Sequence, residues 1–186
     1  ASPWDLPSID FLEKFDVVAH KVASACMTDR SLLKALNATG KPVFMSTGMS
    51  SLEQVDSAVK EIDNSRLILM HTVSVYPAKP DQLNLSWIDT LKKRYPHLPV
   101  GYSGHEVGVS PSVIAVAKYG ATCVERHVTL DRSMWGSDQS ASLEPDGMKR
   151  VVGYIRSIPV VSGSGEKHIL DEEVPIAAKL RRVTDF

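Results

Sequence analysis

Pro99-Val-Gly-Tyr-Ser-Gly-His105 and Ala121-Thr-Cys-Val-Glu-Arg-His127-Val-Thr129 are two apolar, strand-like runs, each carrying a histidine at or near its end. The stretch between them, Val107-Gly-Val-Ser-Pro-Ser-Val-Ile-Ala-Val-Ala-Lys-Tyr-Gly120, reads as one helix. Ser110 is its expected N-cap, Pro111 its first helical residue and Gly120 its stop. A strand–helix–strand unit of this length makes the two strands parallel neighbours. His105 and His127 then stand at carboxyl ends of adjacent strands, on the rim where α/β folds place their chemistry. A single strand-end histidine is more often a hydrogen-bonded rim residue than a ligand. Two of them on adjacent strands are a candidate pair for one divalent metal, with water or substrate oxygen completing the shell.

The same alternation extends in both directions. Strand-like runs occur at Val17–Ser24, Pro42–Ser46, Arg66–Ser74, Pro99–Ser103 and Ala121–Thr129, short and rich in Val, Ile and Leu. That is the pattern of strands buried on both faces. Ser50-Ser-Leu-Glu53 reads as a capping box opening a helix with Leu52, Val55, Ala58, Val59 and Ile62 on its apolar face. Asp29 caps a helix over Ser31–Asn37, Ser86 starts one over Trp87–Tyr95, and Pro145–Ile158 and Asp171–Arg182 supply two more. Hairpin signals are missing between the runs, so the sheet is expected to be parallel. Nearly every strand ends in polar groups, which favours a (β/α)8 TIM barrel over an open doubly wound sheet. Five strands correspond to strands 4–8 of such a barrel, and Ala1-Ser-Pro-Trp-Asp5 looks like the mouth of a preceding strand.

The chain has 186 residues, 43% hydrophobic and 23% charged, with a formal net charge of -1. This balance offers no basic surface for nucleic acid or an anionic membrane. No apolar run approaches the ~20 residues of a membrane span. Cys26 and Cys123 stand in unrelated contexts and read as buried small hydrophobes, which suits a reduced, cytoplasmic setting.

Six ordered segments carry a family resemblance. They are Lys21-Val-Ala-Ser24, Lys41-Pro-Val-Phe-Met-Ser-Thr-Gly-Met49, His71-Thr-Val-Ser-Val-Tyr-Pro77 with Asn84-Leu85, Gly101-Tyr-Ser-Gly-His-Glu106, Glu125-Arg-His-Val-Thr-Leu-Asp131, and Gly136-Ser-Asp-Gln-Ser-Ala-Ser-Leu-Glu-Pro145. Together they resemble the catalytic barrel of the sialic acid synthases, N-acetylneuraminate synthase and its relatives. The resemblance implies a carbon–carbon bond-forming transferase that condenses phosphoenolpyruvate with an N-acetylated amino sugar, N-acetylmannosamine or its 6-phosphate, releasing phosphate. It also implies a divalent metal, Mn2+ or Mg2+, and small-molecule substrates; a homodimer is expected. Residues 1–165 are expected to form the barrel portion. Residues 166–186 are expected to be a terminal helix and the start of a linker towards an antifreeze-like domain.

On that resemblance His105 and His127 hold the metal. Lys21 is the cation for phosphoenolpyruvate, and Ser2, Ser24, Ser46, Ser74 and Ser103 are neutral donors to its phosphate and carboxylate. Asp138 orients a metal-bound water or substrate hydroxyl, and Tyr76 contacts the sugar. His105, His127, Asp138 and Lys21 form the expected catalytic set. Thr47-Gly48 beside Ser46 lets backbone approach a ligand. Cys26 stands where many relatives have an acidic residue, and Ser74 where some have asparagine. His71, Glu106 and Glu125 read as supporting groups. Two other readings compete: a metal-dependent hydrolase on the same barrel, and a non-catalytic binding or oligomerising portion.

Overall fold

A computed structural model describes residues 1–183. Five strands alternate with helices: α1 (Leu6–Glu13), β1 (His20–Val22), α2 (Arg30–Ala38), β2 (Val43–Ser46), α3 (Leu52–Val59), β3 (Leu67–Thr72), α4 (Trp87–Arg94), β4 (Val100–Gly104), α5 (Ser110–Ala117), β5 (Val124–Arg126), α6 (Pro145–Ser162) and α7 (Glu173–Leu180). The sheet runs in chain order, β1-β2-β3-β4-β5, and every neighbouring pair is parallel. An order without a reversal is the order of a barrel; a doubly wound sheet turns back on itself at a switch point. The curl is shown directly by side chains, because Lys21 on the first strand comes within 3.7 Å of Glu125 on the fifth.

The outer face of the sheet carries the core. Val22, Val43, Met45, Leu67, Leu69, Val100 and Tyr102 pack against Leu32, Leu33 and Leu36 of α2, Val55 and Ala58 of α3, Ile88 and Leu91 of α4, and Ala115 of α5. Each fully buried aliphatic side chain there contributes roughly 1.5–3 kcal/mol. The concave face has two levels. Phe44, Met70 and Cys123 border an open hollow below, and polar groups gather at the carboxyl rim above. Gly101 makes room for the lower level, since a Cβ there would meet Cys123 Sγ and come to 2.6 Å of Met70 Sδ.

Several elements differ from the sequence expectation. The strands are shorter than the apolar runs, because the flanking residues belong to rim loops. α1 was not expected, although Asp5 caps it by accepting from the Ser8 amide at 2.8 Å and a proline occupies its first turn. The capping box of α3 is Ser51 with Gln54 rather than Ser50 with Glu53. Val109, not Ser110, is the N-cap of α5. α6 runs through Pro159 to Ser162 instead of ending at Ile158. Proline removes an N–H from the helix ladder, and near the helix end the Ser162 hydroxyl donates to the Ile158 carbonyl at 2.7 Å. Residues 1–2 run beside β1: the Lys21 amide donates to the Ala1 carbonyl at 2.6 Å, and Ser2 Oγ to the Lys21 carbonyl at 3.0 Å. Past His127 the chain is flanked by Leu143, whose amide donates to the His127 carbonyl at 2.8 Å.

The chain divides into two compact units, Ala1–Ile155 and Arg156–Phe186. The first holds the whole sheet. Within the described part of the second no residue is buried, and α7 was expected two residues longer at each end. Among the described residues no helix is long and apolar enough to cross a membrane.

Candidate active site

The five strands each deliver one polar side chain to the concave face, and these groups form two hydrogen-bonded sets that meet where Lys21 faces Glu125. Lys21 Nζ of β1 donates to Ser46 Oγ of β2 at 2.7 Å and to the Val22 carbonyl at 3.0 Å. Thr72 Oγ1 of β3 donates to the same Ser46 Oγ at 3.0 Å. Ser103 Oγ of β4 donates to Glu125 Oε1 of β5 at 2.8 Å, and Glu125 faces Lys21. Burial pulls the Lys21 ammonium below its ordinary pKa, while the Glu125 carboxylate opposes that shift. A substrate anion that took over the lysine's charge would relieve the same desolvation.

Above this layer stand the two histidines. Their ring centroids are 5.0 Å apart and the planes nearly perpendicular, at 79°. Tyr76 completes the group, 4.2 Å from His105 and 5.8 Å from His127 by ring centroid. His105 Nδ1 lies 2.9 Å from the Val73 carbonyl. A carbonyl only accepts, so Nδ1 carries the hydrogen and Nε2 keeps its lone pair. Burial lowers the His105 pKa, against the opposing pull of the Val73 carbonyl, and so favours the neutral ring. His127 Nδ1 lies 3.4 Å from Asp138 Oδ2. This is the arrangement in which a second ring atom fixes the orientation of a metal-binding imidazole. Among the described residues no group of three or more His, Cys, Asp or Glu side chains is placed to hold an ion. The two imidazoles could supply two ligands of a divalent metal, and water or substrate oxygen would have to complete its shell.

A cavity of about 520 Å3 gathers Ser2, Lys21, Ser24, Ser46, Tyr76, Ser103, His105, His127 and Asp138, together with Trp4, Ala23 and Glu125. Ser74 borders a neighbouring hollow with Thr47 and His71 instead. Its hydroxyl still turns towards the first cavity's edge: a Cβ on Gly48 would collide with Ser74 Oγ and come to 2.7 Å of Ser24 Oγ. Gly48 thus makes space for two hydroxyls, a more specific role than the backbone approach expected from Thr47-Gly48. Cys26 is buried and its thiol is pushed up by that burial, so it contributes no charge.

Two members of the polar layer were under-read. Thr72 lies two residues before Ser74, and Glu125 two before His127; period-2 alternation places each on the same face as its partner. A third group lay beyond sequence reasoning: Glu106, Arg126 and Tyr102 form a buried cluster on the reverse of β4 and β5, where Arg126 Nη1 and Glu106 Oε1 are 2.8 Å apart and Tyr102 Oη donates to Glu106 Oε2 at 2.7 Å.

The chain is similar in sequence and fold to known proteins. The NeuB family model matches residues 1–167. The N-acetylneuraminate-9-phosphate synthase of Homo sapiens is 38% identical over 183 residues, covering 97% of this chain and 50% of that protein. The N,N'-diacetyllegionaminic acid synthase of Legionella pneumophila is 38% identical over 186 residues, covering 96% of this chain and 52% of that one. The crystal structure of N-acetylneuraminic acid synthetase from Leptospira borgpetersenii, in complex with citrate, superposes with a TM-score of 0.83 at 34% identity, over 98% of this chain and 65% of that one. The chain spans about half the length of the two sequence relatives. Five parallel strands in barrel order, a polar layer under paired histidines and a family match over most of the length agree: the chain belongs to the NeuB family.

Proposed function

We propose that this chain supplies the carboxyl-terminal portion of a (β/α) barrel that condenses phosphoenolpyruvate with an N-acetylated amino sugar, N-acetylmannosamine or its 6-phosphate. The observation that carries this reading is the five-strand polar layer, Lys21–Ser46–Thr72 and Ser103–Glu125, set directly beneath two facing imidazoles. The names of the human and Legionella relatives, both synthases of nine-carbon sugar acids, support it.

Charge separates the roles. The cavity carries one ammonium, Lys21, against two carboxylates, Glu125 and Asp138. A substrate with both phosphate and carboxylate would meet net repulsion there. His105 and His127 would hold a divalent cation, Mn2+ or Mg2+, which would reverse that balance and supply Lewis acidity towards the sugar aldehyde. Lys21 binds one anionic group of phosphoenolpyruvate, exchanging its contact with Glu125 for the substrate, while the Ser24, Ser46 and Ser103 hydroxyls donate to oxygens around it. Neutral donors suit a phosphate that must leave. In the overall reaction C3 of phosphoenolpyruvate bonds to the aldehyde carbon, water adds at C2, and phosphate departs by C–O cleavage. Glu125, within reach of both Lys21 and Ser103, is placed to hold a proton as that water adds. Tyr76, tilted 43° to the His105 ring and 62° to the His127 ring, walls the acceptor side.

The test is phosphate release from phosphoenolpyruvate by the intact protein, with N-acetylmannosamine, its 6-phosphate and a bacillosamine-derived sugar offered in turn. The expected result is metal-dependent release with one acceptor, and loss of turnover in His105→Ala with the circular dichroism spectrum unchanged. Release without any sugar, or a fully active His105→Ala variant lacking added metal, sinks the reading.

A further inference from the structure

The Glu106–Arg126 pair is the feature that the proposed chemistry leaves unexplained. Glu106 directly follows His105, and Arg126 directly precedes His127. Successive residues of an extended segment point to opposite faces, so the pair lies behind the rings rather than beside them. Both side chains are almost wholly buried, 1% exposed for Arg126 and 2% for Glu106. Both terminal nitrogens of the guanidinium tie segments together, while its buried Nε has no partner. Nη1 donates to Glu106 Oε1, to Ser112 Oγ at 3.0 Å and to the Gly108 carbonyl at 2.9 Å, and Nη2 donates to the Glu106 carbonyl at 2.6 Å. Gly104 is shaped around the cluster, since a Cβ there would come to 2.6 Å of Glu106 Oε2 and 2.7 Å of the Tyr102 ring. The loop carrying Tyr76 is fastened to the same point, with the Ala78 amide donating to the His105 carbonyl at 3.0 Å and Ala78 bridging Glu106.

Stability alone does not account for such a pair. Removing two charges from water costs about as much as their attraction returns, and a well-packed apolar replacement is often as stable. What the pair does that an apolar replacement cannot is set a fixed register between two strand ends. We propose that Glu106 and Arg126 are positioning residues that hold the His105 and His127 rings at their mutual distance and orientation. The inference rests on the reading of the two rings as one site.

The experiment uses the intact protein with two variants, Glu106→Gln/Arg126→Met, which removes both charges together, and Arg126→Lys, which keeps the charge but lacks the fork. Three readouts are taken: melting temperature, the ring-to-ring nuclear Overhauser contact between His105 and His127 without metal, and Mn2+ affinity by titration with the metal alone. The double variant is expected to melt within about 5 °C of the parent, to lose the ring contact, and to bind Mn2+ at least ~10-fold more weakly. Its kcat should fall, because the two rings lose their fixed placement. Arg126→Lys should show the same losses in smaller measure. Unfolding of the double variant would assign the pair a purely structural role and overturn the proposal. A parental ring contact in either folded variant would overturn it too. Failure of the parent itself to bind Mn2+ would remove the metal reading, and the ring contact would still decide the positioning role.

Discussion

Two arginine–carboxylate pairs in this molecule have the same chemistry and opposite surroundings. Arg94 of α4 grips Asp56 of α3 at the surface, with Tyr95 adding a hydroxyl, and the two charged side chains are 46% and 24% exposed. Arg126 grips Glu106 beneath the carboxyl rim with almost no exposure. In the first pair water competes with the partner, and removing either group leaves the other solvated. In the second nothing replaces a lost partner, so each group depends on the other. Solvent, rather than bond geometry, decides which pair can specify structure.

The comparison is broken most forcefully by taking one partner from the buried pair. Arg126→Ala leaves the Glu106 carboxylate with Tyr102 and Ser112 alone and is expected to cost ~3–5 kcal/mol in urea unfolding; a cost within that of an ordinary surface substitution would show that water enters the cluster. Gly104→Ala comes next. Its methyl would press on Glu106 and Tyr102, and a loss of ~1–3 kcal/mol is expected by the same measurement. Gly48→Ala sharpens the contrast between framework and site, because its methyl displaces the Ser24 and Ser74 hydroxyls instead of a packed core. It should raise KM for phosphoenolpyruvate by ~10-fold or more while the melting temperature moves by only a few degrees.

The exposed pair gives the smallest effect, and its sign follows from titration. The Arg94 guanidinium, with Tyr95, holds the Asp56 carboxyl down at about 2, against an ordinary 3.8. A depressed acid stabilises the folded state when ionised. That contribution is complete above 3.8 and is lost as pH falls towards 2. Asp56→Asn should therefore lower the melting temperature slightly at neutral pH, leave it unchanged near pH 2, and be less costly in high salt. A pH-independent difference between variant and parent would mean that the pair contributes through packing instead.

The barrel order was legible because strands buried on both faces write themselves as apolar runs, and because Gly40 and Gly120, both at positive φ, end the preceding helices. α1 was hidden because its large apolar residues Leu6 and Phe11 are exposed, which blurs its apolar stripe. The capping box slipped by one position because Ser50 and Ser51 are followed by Glu53 and Gln54, two equally good reciprocal partners. The histidine pair and Lys21 were readable from strand ends and spacing. Thr72 and Glu125 were not ranked with them, since a threonine or glutamate in a strand takes on meaning only when its cross-strand neighbours are known. The Glu106–Arg126 cluster demanded more still: the register of β4 on β5, in which Gly104 stands against Arg126.

The 3.7 Å approach of Lys21 to Glu125 joins the first strand of the sheet to its last, across more than half of the chain. Contacts so distant in sequence are expensive in loop-closure entropy and are secured only when the intervening elements are in place. Most of the hydrophobic core belongs to β1–β4 and their helices, whereas His127 and Glu125, the partner of Lys21, both arrive with β5. A local opening that frees only the last strand would spare most of that core and dismantle the site entirely. Hydrogen exchange at Val124–Arg126, rather than global melting, is therefore the measure of how much of the population is ready to bind substrate.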